Sequence, residues 1–213
     1  MDANKTHCSS CEHGPECKLD TGSYATRPDD LTCPYFKRKD GKVLVEIIKH
    51  TDVTDARRAI EFTTGGRFQA KATLASVYGW NHSLTRTQMF SVMMYRIPTF
   101  VSVHFVRHKI GVEHFVQSNR PDRDGDAKAD RLSPVNHLMF CNAESLINMS
   151  HRRLCYQAST ETRFVMSEIQ SEMLKADPDL VRYMVPLCQY RGGICSEPKP
   201  CGEYKVKRFG GDR

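Results

Sequence analysis

The 213-residue sequence has no long hydrophobic run, no internal repeat and no low-complexity tract. A membrane-spanning helix needs about 20 consecutive apolar residues, and no segment comes near that length. An apolar leader is also missing after Met1, which predicts a chain that is not exported and remains cytoplasmic. These absences favour one globular domain that carries, at most, small appendages.

A concentrated basic stripe is missing too, although the net charge is +6. Lysine and arginine are spread along the chain, and the basic residues among the last ten are typical of a solvated tail. No aromatic platform for nucleic-acid bases is visible. The charge therefore indicates an anionic partner in general terms, and phosphate on a small molecule would use it as well as nucleic acid would.

The nine cysteines are odd in number, so they cannot all pair within one chain. In a chain that is not exported, a disulfide framework is not expected. The cysteines are therefore interpreted as metal ligands, core residues or redox groups. Cys188, Cys195 and Cys201 form one group near the C-terminus, which could bind a metal with a fourth ligand from elsewhere.

Another group lies in residues 1–40, a segment with no sustained apolar periodicity. It consists of Cys8, Cys11, Cys17 and Cys33. The spacing of Cys8 and Cys11 puts two thiolates on one turn, and a structural zinc would supply the folding energy that this core-poor segment lacks. An iron–sulfur cluster would use the same ligands, and four free cysteines are the simplest alternative.

Hydrophobic periodicity and turn residues predict a mixture of strands and helices. The predicted elements are a strand at 42–48, a helix at 54–62 with Thr54 as its N-cap, a helix at 68–78 closed by Gly79, a strand at 88–96, a helix from Pro98 to about Ile110, a loop at 119–134, and a long helix from Asn142 to about Lys175 that could be broken once. Asp177-Pro178 ends the long helix, and the tail at 181–213 is predicted to be irregular.

Arg107, His108 and Lys109 stand at the end of one predicted helix, where positive charge complements the helix dipole. The chain continues from Glu113 to Arg120 with a dense run of side chains that bind phosphates and amides. A solvated loop would explain this polarity. A loop directly after a buried helix is, however, the usual place for a binding site on a rigid scaffold.

The long helix places Asn142, Met149 and Arg153 on nearly one face, because eleven residues are close to three turns. The planar guanidinium of Arg153 could hold a carbonyl, phosphate or carboxylate group. Periodicity alone favours a simpler interpretation, in which this is an ordinary surface face with pairs such as Gln157 and Glu161.

At these residues the sequence resembles the flavin-dependent thymidylate synthases, the ThyX family. The Arg107-His108-Lys109 run resembles the family's Arg-His-Arg signature, and the helix that starts at Asn142 resembles its Asn-Ala-x-Ser-Leu-x-Asn helix. The resemblance covers about residues 42–178. The matching positions are His82, Pro98, Phe100, Arg107, His108, Lys109, Ser118, Arg120, Asn142, Ala143, Ser145, Leu146, Asn148, Arg153, Ala158 and Glu161.

The resemblance implies an α/β (α+β) fold with a central, mostly antiparallel sheet, flanking helices and one long helix. It implies a homotetrameric enzyme that methylates dUMP to dTMP, with FAD as hydride carrier, methylenetetrahydrofolate as carbon donor and NADPH as reductant. The family needs no cysteine nucleophile. The expected organisation is a metal-binding extension at 1–40, a flavin- and nucleotide-binding domain at 41–180 and an irregular tail at 181–213.

The resemblance also implies roles for individual residues. The FAD-binding residues would be His82, Arg107, His108, Lys109, Asn142 and Asn148, whose cationic members suit a pyrophosphate. The nucleotide-binding residues would be His104, Gln117, Ser118, Arg120 and Arg153. Arg153 would also be catalytic, because a fixed cation beside the uracil stabilises the negative charge that develops on the ring.

The sequence departs from the family pattern at several positions. Lys109 replaces an arginine, one residue is inserted before Ser118, and Glu144 stands where an arginine is common near the flavin. The interval that precedes Asn142 is shorter than in typical members. A ThyX-like flavoenzyme that hydroxymethylates dUMP or dCMP is therefore an alternative function, and a metal-bearing nucleic-acid-binding module is an alternative of a different class.

Overall fold

The computed structural model describes residues 44–67, 71–120, 122 and 129–203, together with the backbone of 207–208. The extension at 1–40 lies outside the described residues. The four cysteines predicted to bind metal there stay a prediction, and they are Cys8, Cys11, Cys17 and Cys33.

The described chain forms six strands, seven α-helices and one 3-10 helix. The strands are β1 (Leu44–Lys49), β2 (Met89–Pro98), β3 (Val112–Val116), β4 (Pro134–Asn142), β5 (Ile194–Cys195) and β6 (Lys207–Arg208). The helices are α1 (Val53–Thr63), α2 (Leu74–Trp80), α3 (Thr99–Val106), α4 (Ala143–Arg153), α5 (Thr160–Ala176), α6 (Pro178–Val181) and α7 (Leu187–Tyr190), and the 3-10 helix is Ser83–Thr87.

Four strands form one antiparallel sheet in the order β1-β2-β4-β3. Val92 at the centre of β2 pairs with Ile47 on one side and with Met139 on the other. Helix α5 packs against β1, and the core between the sheet and the helices includes Phe90, Leu146 and Ile169, all fully buried. The predicted α/β fold with an antiparallel sheet and flanking helices is confirmed. None of the described helices is long and apolar enough to cross a membrane.

Two predicted helices have different bounds, because capping residues override the apolar pattern. Helix α1 is capped by Asp52 and not by Thr54: the Asp52 carboxylate accepts a hydrogen bond from the Thr54 N–H at 2.6 Å, and Asp55 bonds back to the Asp52 N–H. Helix α2 starts at Leu74 rather than at 68, after a capping box made by Thr73 and Ser76. Helix α2 also runs through Gly79, and Asn81 takes the left-handed position with φ of 48°.

The long predicted helix is broken between α4 and α5. Asn142 caps α4 as expected, since its Oδ1 accepts a hydrogen bond from the Ser145 N–H at 2.9 Å. Ser159 starts α5 with a second side-chain cap. Helix α3 ends at Val106, earlier than the predicted Ile110, so His108 and Lys109 follow the helix.

Strands β3 and β4 are absent from the sequence-based prediction. Strand β3 runs through a segment interpreted as a polar loop, and β4 covers residues 135–141, to which no element was assigned. Only Val112 of β3 is buried, so this strand shows no apolar alternation. In β4 every second residue from Val135 is buried, but one of these core positions is His137. The predicted binding loop at 113–120 is therefore a strand up to Val116.

Candidate functional site

The chain turns sharply between α3 and β3, and this turn lies against the start of α4. Gly111 has φ of 72°, and its carbonyl accepts a hydrogen bond from the Asn142 N–H at 3.0 Å. A Cβ atom at this glycine would stand 2.4 Å from Nδ2 of Asn142. Glycine is thus required twice here, for the left-handed backbone and for the close approach. The contact joins two motifs that lie far apart in the sequence.

Arg153 lies at the last turn of α4 and reaches across to the end of α3. Its Nε donates a hydrogen bond to Nε2 of His108 at 3.0 Å, and its Nη2 donates to the His104 carbonyl at 2.6 Å. The side chain is half-buried. The two bonds fix the plane of the guanidinium. They bring together His108, which the resemblance implies for FAD, with His104 and Arg153, which it implies for the nucleotide.

A chain of hydrogen bonds supports His108 from the sheet side. Ser102 contacts Nδ1 of His137 at 3.0 Å, and His137 Nε2 contacts Nδ1 of His114 at 2.9 Å. His114 Nε2 lies 2.7 Å from the His108 carbonyl, which can only accept, so His114 donates there. With neutral rings, the His137 N–H must then donate to His114, and the Ser102 hydroxyl must donate to His137. Along this row each group therefore donates to the next one, from Ser102 to the carbonyl of His108.

Burial keeps the imidazoles of His108 and His137 neutral. Burial, helped by the Arg153 charge, lowers the pKa of His108 to about 4, and burial lowers the pKa of His137 to about 4 as well. His108 is therefore uncharged at neutral pH and can accept the Arg153 N–H. The positive charge that the sequence suggested at His108 is not present, so Arg107 and Lys109 supply the cations of this run. Both are exposed.

His104 occupies the same junction from within α3. Its Nδ1 contacts the Thr162 hydroxyl at 2.8 Å, and Thr162 in turn contacts Ser159 at 2.8 Å. Burial, together with the charge of Arg153, lowers the pKa of His104. The contact ties α3 to the first turn of α5, on the far side of the break that follows Arg153.

The remaining residues expected to bind FAD have differing positions. His82 is exposed, caps the 3-10 helix and stacks on the Trp80 ring at a centroid distance of 5.8 Å. Asn142 is buried at the start of α4, whereas Asn148 is exposed further along that helix. Only Asn142 of these three touches the turn at Gly111.

The residues expected to bind the nucleotide phosphate follow β3. The Gln117 side chain accepts a hydrogen bond from the Asn136 N–H at 3.1 Å, so it extends the pairing of β3 with β4. Ser118 is exposed. Arg120 makes a two-bond pair with Asp122, at 3.0 and 2.7 Å. A phosphate would have to replace that exposed carboxylate.

Sequence reasoning missed several residues that build this site. Ser102, His137 and Thr162 carry no motif, and their roles depend on partners more than thirty residues away. Arg86 was also missed. Its guanidinium donates hydrogen bonds to both carboxylate oxygens of Glu144, at 2.7 and 3.2 Å. A cation therefore lies beside Glu144, which stands at a position where an arginine is common in the ThyX family.

Comparison with known proteins was made by sequence and by structure. No protein-family model and no curated protein matches the sequence. Solved structures do match. Thymidylate synthase X (ThyX) from Helicobacter pylori, determined with FAD and dUMP, has a TM-score of 0.53 and 13% identity, over 66% of this chain and 99% of that chain. The UMP/dUMP methylase PolB from Streptomyces cacaoi, bound with 5-Br dUMP, has a TM-score of 0.52 and 11% identity, over 67% of this chain and 94% of that chain.

Identities this low establish the fold and nothing finer. The two solved proteins are covered almost from end to end, so the matching region is a whole ThyX-like unit and not a fragment of one. The four-stranded sheet and the helices that meet at Arg153 therefore make up a ThyX-like fold.

Proposed function

We propose that the chain is a flavin-dependent thymidylate synthase, which methylates dUMP to dTMP with methylenetetrahydrofolate and NADPH as co-substrates. The observation that carries the proposal is the anchored guanidinium of Arg153. Further support comes from the fold, since one solved structure of similar fold holds FAD and dUMP and another holds 5-Br dUMP.

Arg153 would act on the pyrimidine ring. Among the described residues its Nη1 has no hydrogen-bond partner, whereas Nε and Nη2 are held by His108 and His104. Burial, helped by Arg107, lowers its pKa, yet an arginine stays protonated at physiological pH. A cation that is already oriented stabilises negative charge as it forms on the uracil oxygen, without further rearrangement.

The charges around the site suit FAD. Arg107 and Lys109 are exposed cations on either side of half-buried His108, and they would hold the pyrophosphate. The bound cofactor would supply the hydride chemistry. His82, Asn142 and Asn148 are the further residues proposed to contact it. His104, Gln117, Ser118 and Arg120 are proposed to contact the nucleotide, and the assembly is proposed to be a homotetramer.

Product analysis by mass spectrometry tests the proposal. The full chain is incubated with FAD, dUMP, methylenetetrahydrofolate and NADPH, and dTMP is the expected product. Hydroxymethyl-dUMP would support the alternative reaction on the same scaffold. Omission of methylenetetrahydrofolate is the control, and it should leave dUMP unchanged.

Flavin binding provides an independent check. The purified chain should carry a yellow flavin or bind added FAD, because the cofactor brings its own chromophore. A folded preparation that neither carries nor binds FAD would reject the proposed function. In that case, binding of a labelled oligonucleotide would decide whether the chain is a nucleic-acid-binding module instead.

A further inference from the structure

Four cysteines that the proposed function does not use lie on segments that contact one another near the end of α4. Cys155 lies in the break between α4 and α5, Cys188 lies in α7, Cys195 ends β5, and Cys201 follows it. All four are free thiols, and Cys188 and Cys195 are buried. The sequence suggested a group of three with a fourth ligand from elsewhere, and Cys155 is a candidate for that fourth ligand.

Backbone geometry folds Cys195 back towards Cys188. The Gly193 N–H donates a hydrogen bond to the Cys188 carbonyl at 2.8 Å, and the Gly192 N–H donates to the Gln189 carbonyl at 3.0 Å. Both glycines have positive φ, 65° for Gly192 and 92° for Gly193. The turn therefore returns the chain to Cys188 just before Cys195.

Two side-chain bonds fasten the segment around Cys155 to the segment between Cys195 and Cys201. Arg152 pairs with Glu197 at 2.9 Å. Gln157 donates a hydrogen bond to the Lys199 carbonyl, also at 2.9 Å. Cys155 lies between the two anchoring residues on its own segment. Glu197 and Lys199 lie between Cys195 and Cys201, so the segment that carries Cys155 is held against the segment that carries these two cysteines.

Cys141 shows what an ordinary buried cysteine looks like in this chain. It lies in β4, its thiol contacts the Phe90 carbonyl at 3.8 Å, and burial alone raises its pKa to about 12. The other four cysteines differ from it, because they lie on irregular or short segments that are tied to one another near the end of α4.

The described residues contain no three metal-binding side chains already placed at metal-ligand geometry. Thiols must lose their protons before they bind a metal, so the proposed site would have to close as the metal binds. The segments that carry Cys155 and Cys201 are turns and bends and not long regular elements, so small movements can bring the sulfurs together.

We propose that Cys155, Cys188, Cys195 and Cys201 bind one structural zinc ion, which fastens the segment at 187–203 to the end of α4. Four Zn–S bonds form at about 2.3 Å in a tetrahedron. The four thiol protons pass to solvent. The site lies two residues beyond Arg153, so the metal would hold the end of the helix that carries this arginine. The inference does not depend on the proposed reaction.

Metal analysis of a full-length variant tests the site separately from the N-terminal cysteines. In this background Cys8, Cys11, Cys17 and Cys33 are all replaced by serine. This four-serine variant is expected to retain one zinc per chain. Adding Cys195→Ser or Cys201→Ser should remove that zinc, whereas adding Cys141→Ser should not.

Cobalt provides a second measurement that needs no further mutation. Co²⁺ exchanged into the same background should give the intense visible bands of a tetrahedral thiolate complex. A folded background protein with no zinc and no cobalt bands would overturn the proposal. Iron with acid-labile sulfide in place of zinc would overturn the assignment of the metal, and zinc retained in both Cys195→Ser and Cys201→Ser would overturn the ligand set.

Discussion

The Nε–H of Arg153 donates a hydrogen bond to Nε2 of His108, across the junction of α4 and α3 at 3.0 Å. Arginine has no acceptor, so the histidine nitrogen must be unprotonated. This agrees with the His108 pKa of about 4. The signature histidine therefore acts here as a neutral acceptor that orients an arginine.

Replacement of Arg153 by alanine should abolish turnover and leave flavin binding intact. Loss of one preorganised group that stabilises transition-state charge typically lowers kcat by about 10²- to 10³-fold. The measurement is kcat for dTMP formation, together with flavin absorbance of the same preparation. Arg58→Ala is the matched control, since Arg58 is an exposed helical arginine with one long ion pair, 3.6 Å from Asp55. Full activity of Arg153→Ala would remove this arginine from its proposed role.

Stability should fall as the pH falls from about 6.5 towards 4. Burial depresses the pKa of His137 to about 4, so between these values the unfolded chain binds a proton that the folded chain does not. The stabilising effect is complete above about 6.5 and is lost on acidification. Urea unfolding across this range measures the slope. His137→Gln should make the slope shallower without removing it, because the pKa values of His108 and His151 are also lowered to about 4. An unchanged slope would contradict the assignment.

Gly111→Ala should destabilise the protein more than Gly66→Ala does. Both glycines have nearly the same φ, 72° and 71°, and Gly66 has no atom within 4 Å of the added Cβ. The control isolates the cost of a left-handed backbone, about 1 kcal/mol. At Gly111 the added methyl also clashes with Asn142, which should cost roughly 1 kcal/mol more. If urea unfolding gives the same loss in the free energy of unfolding for both variants, the clash with Asn142 is relieved in Gly111→Ala.

Asp177→Asn should be among the most damaging single changes in the core. The buried carboxylate pairs with Lys49 at 2.7 Å, accepts the Tyr78 hydroxyl and caps α6 through the Leu180 N–H. Breaking a buried pair leaves its partner uncompensated, so we expect a loss of about 3 kcal/mol in the free energy of unfolding. Asp179→Asn, in the same turn, should cost less than about 1 kcal/mol, because its pair with Arg182 is long and exposed.

The sequence was sufficient where local patterns decide the structure. The apolar runs of β1 and β2 and the cap at Asn142 are all local signals, and each appears within a few residues of its predicted place. Strand β4 escaped prediction because the core position at His137 is polar. From sequence alone, a histidine that is buried in a strand cannot be distinguished from one in a loop, because its hydrogen-bond partners are not known.

The site was only partly predictable for a related reason. His114 and His137 meet because β3 and β4 pair in one register, with His114 opposite Met139. His104 and Thr162 meet because the chain turns back between α4 and α5. Neither contact can be predicted from the spacing of the residues in the sequence. Family resemblance located Arg153 and His108, whereas the groups that hold them required the fold.

The row of bonds from Ser102 through His137 and His114 to the His108 carbonyl has one further consequence. Each ring can donate on one side only if it accepts on the other, so no single tautomer can change alone. A change of tautomer at either ring would therefore break a hydrogen bond within the protein interior. The three side chains behave as a single cooperative unit, and the backbone carbonyl of His108, which cannot donate, fixes its one orientation.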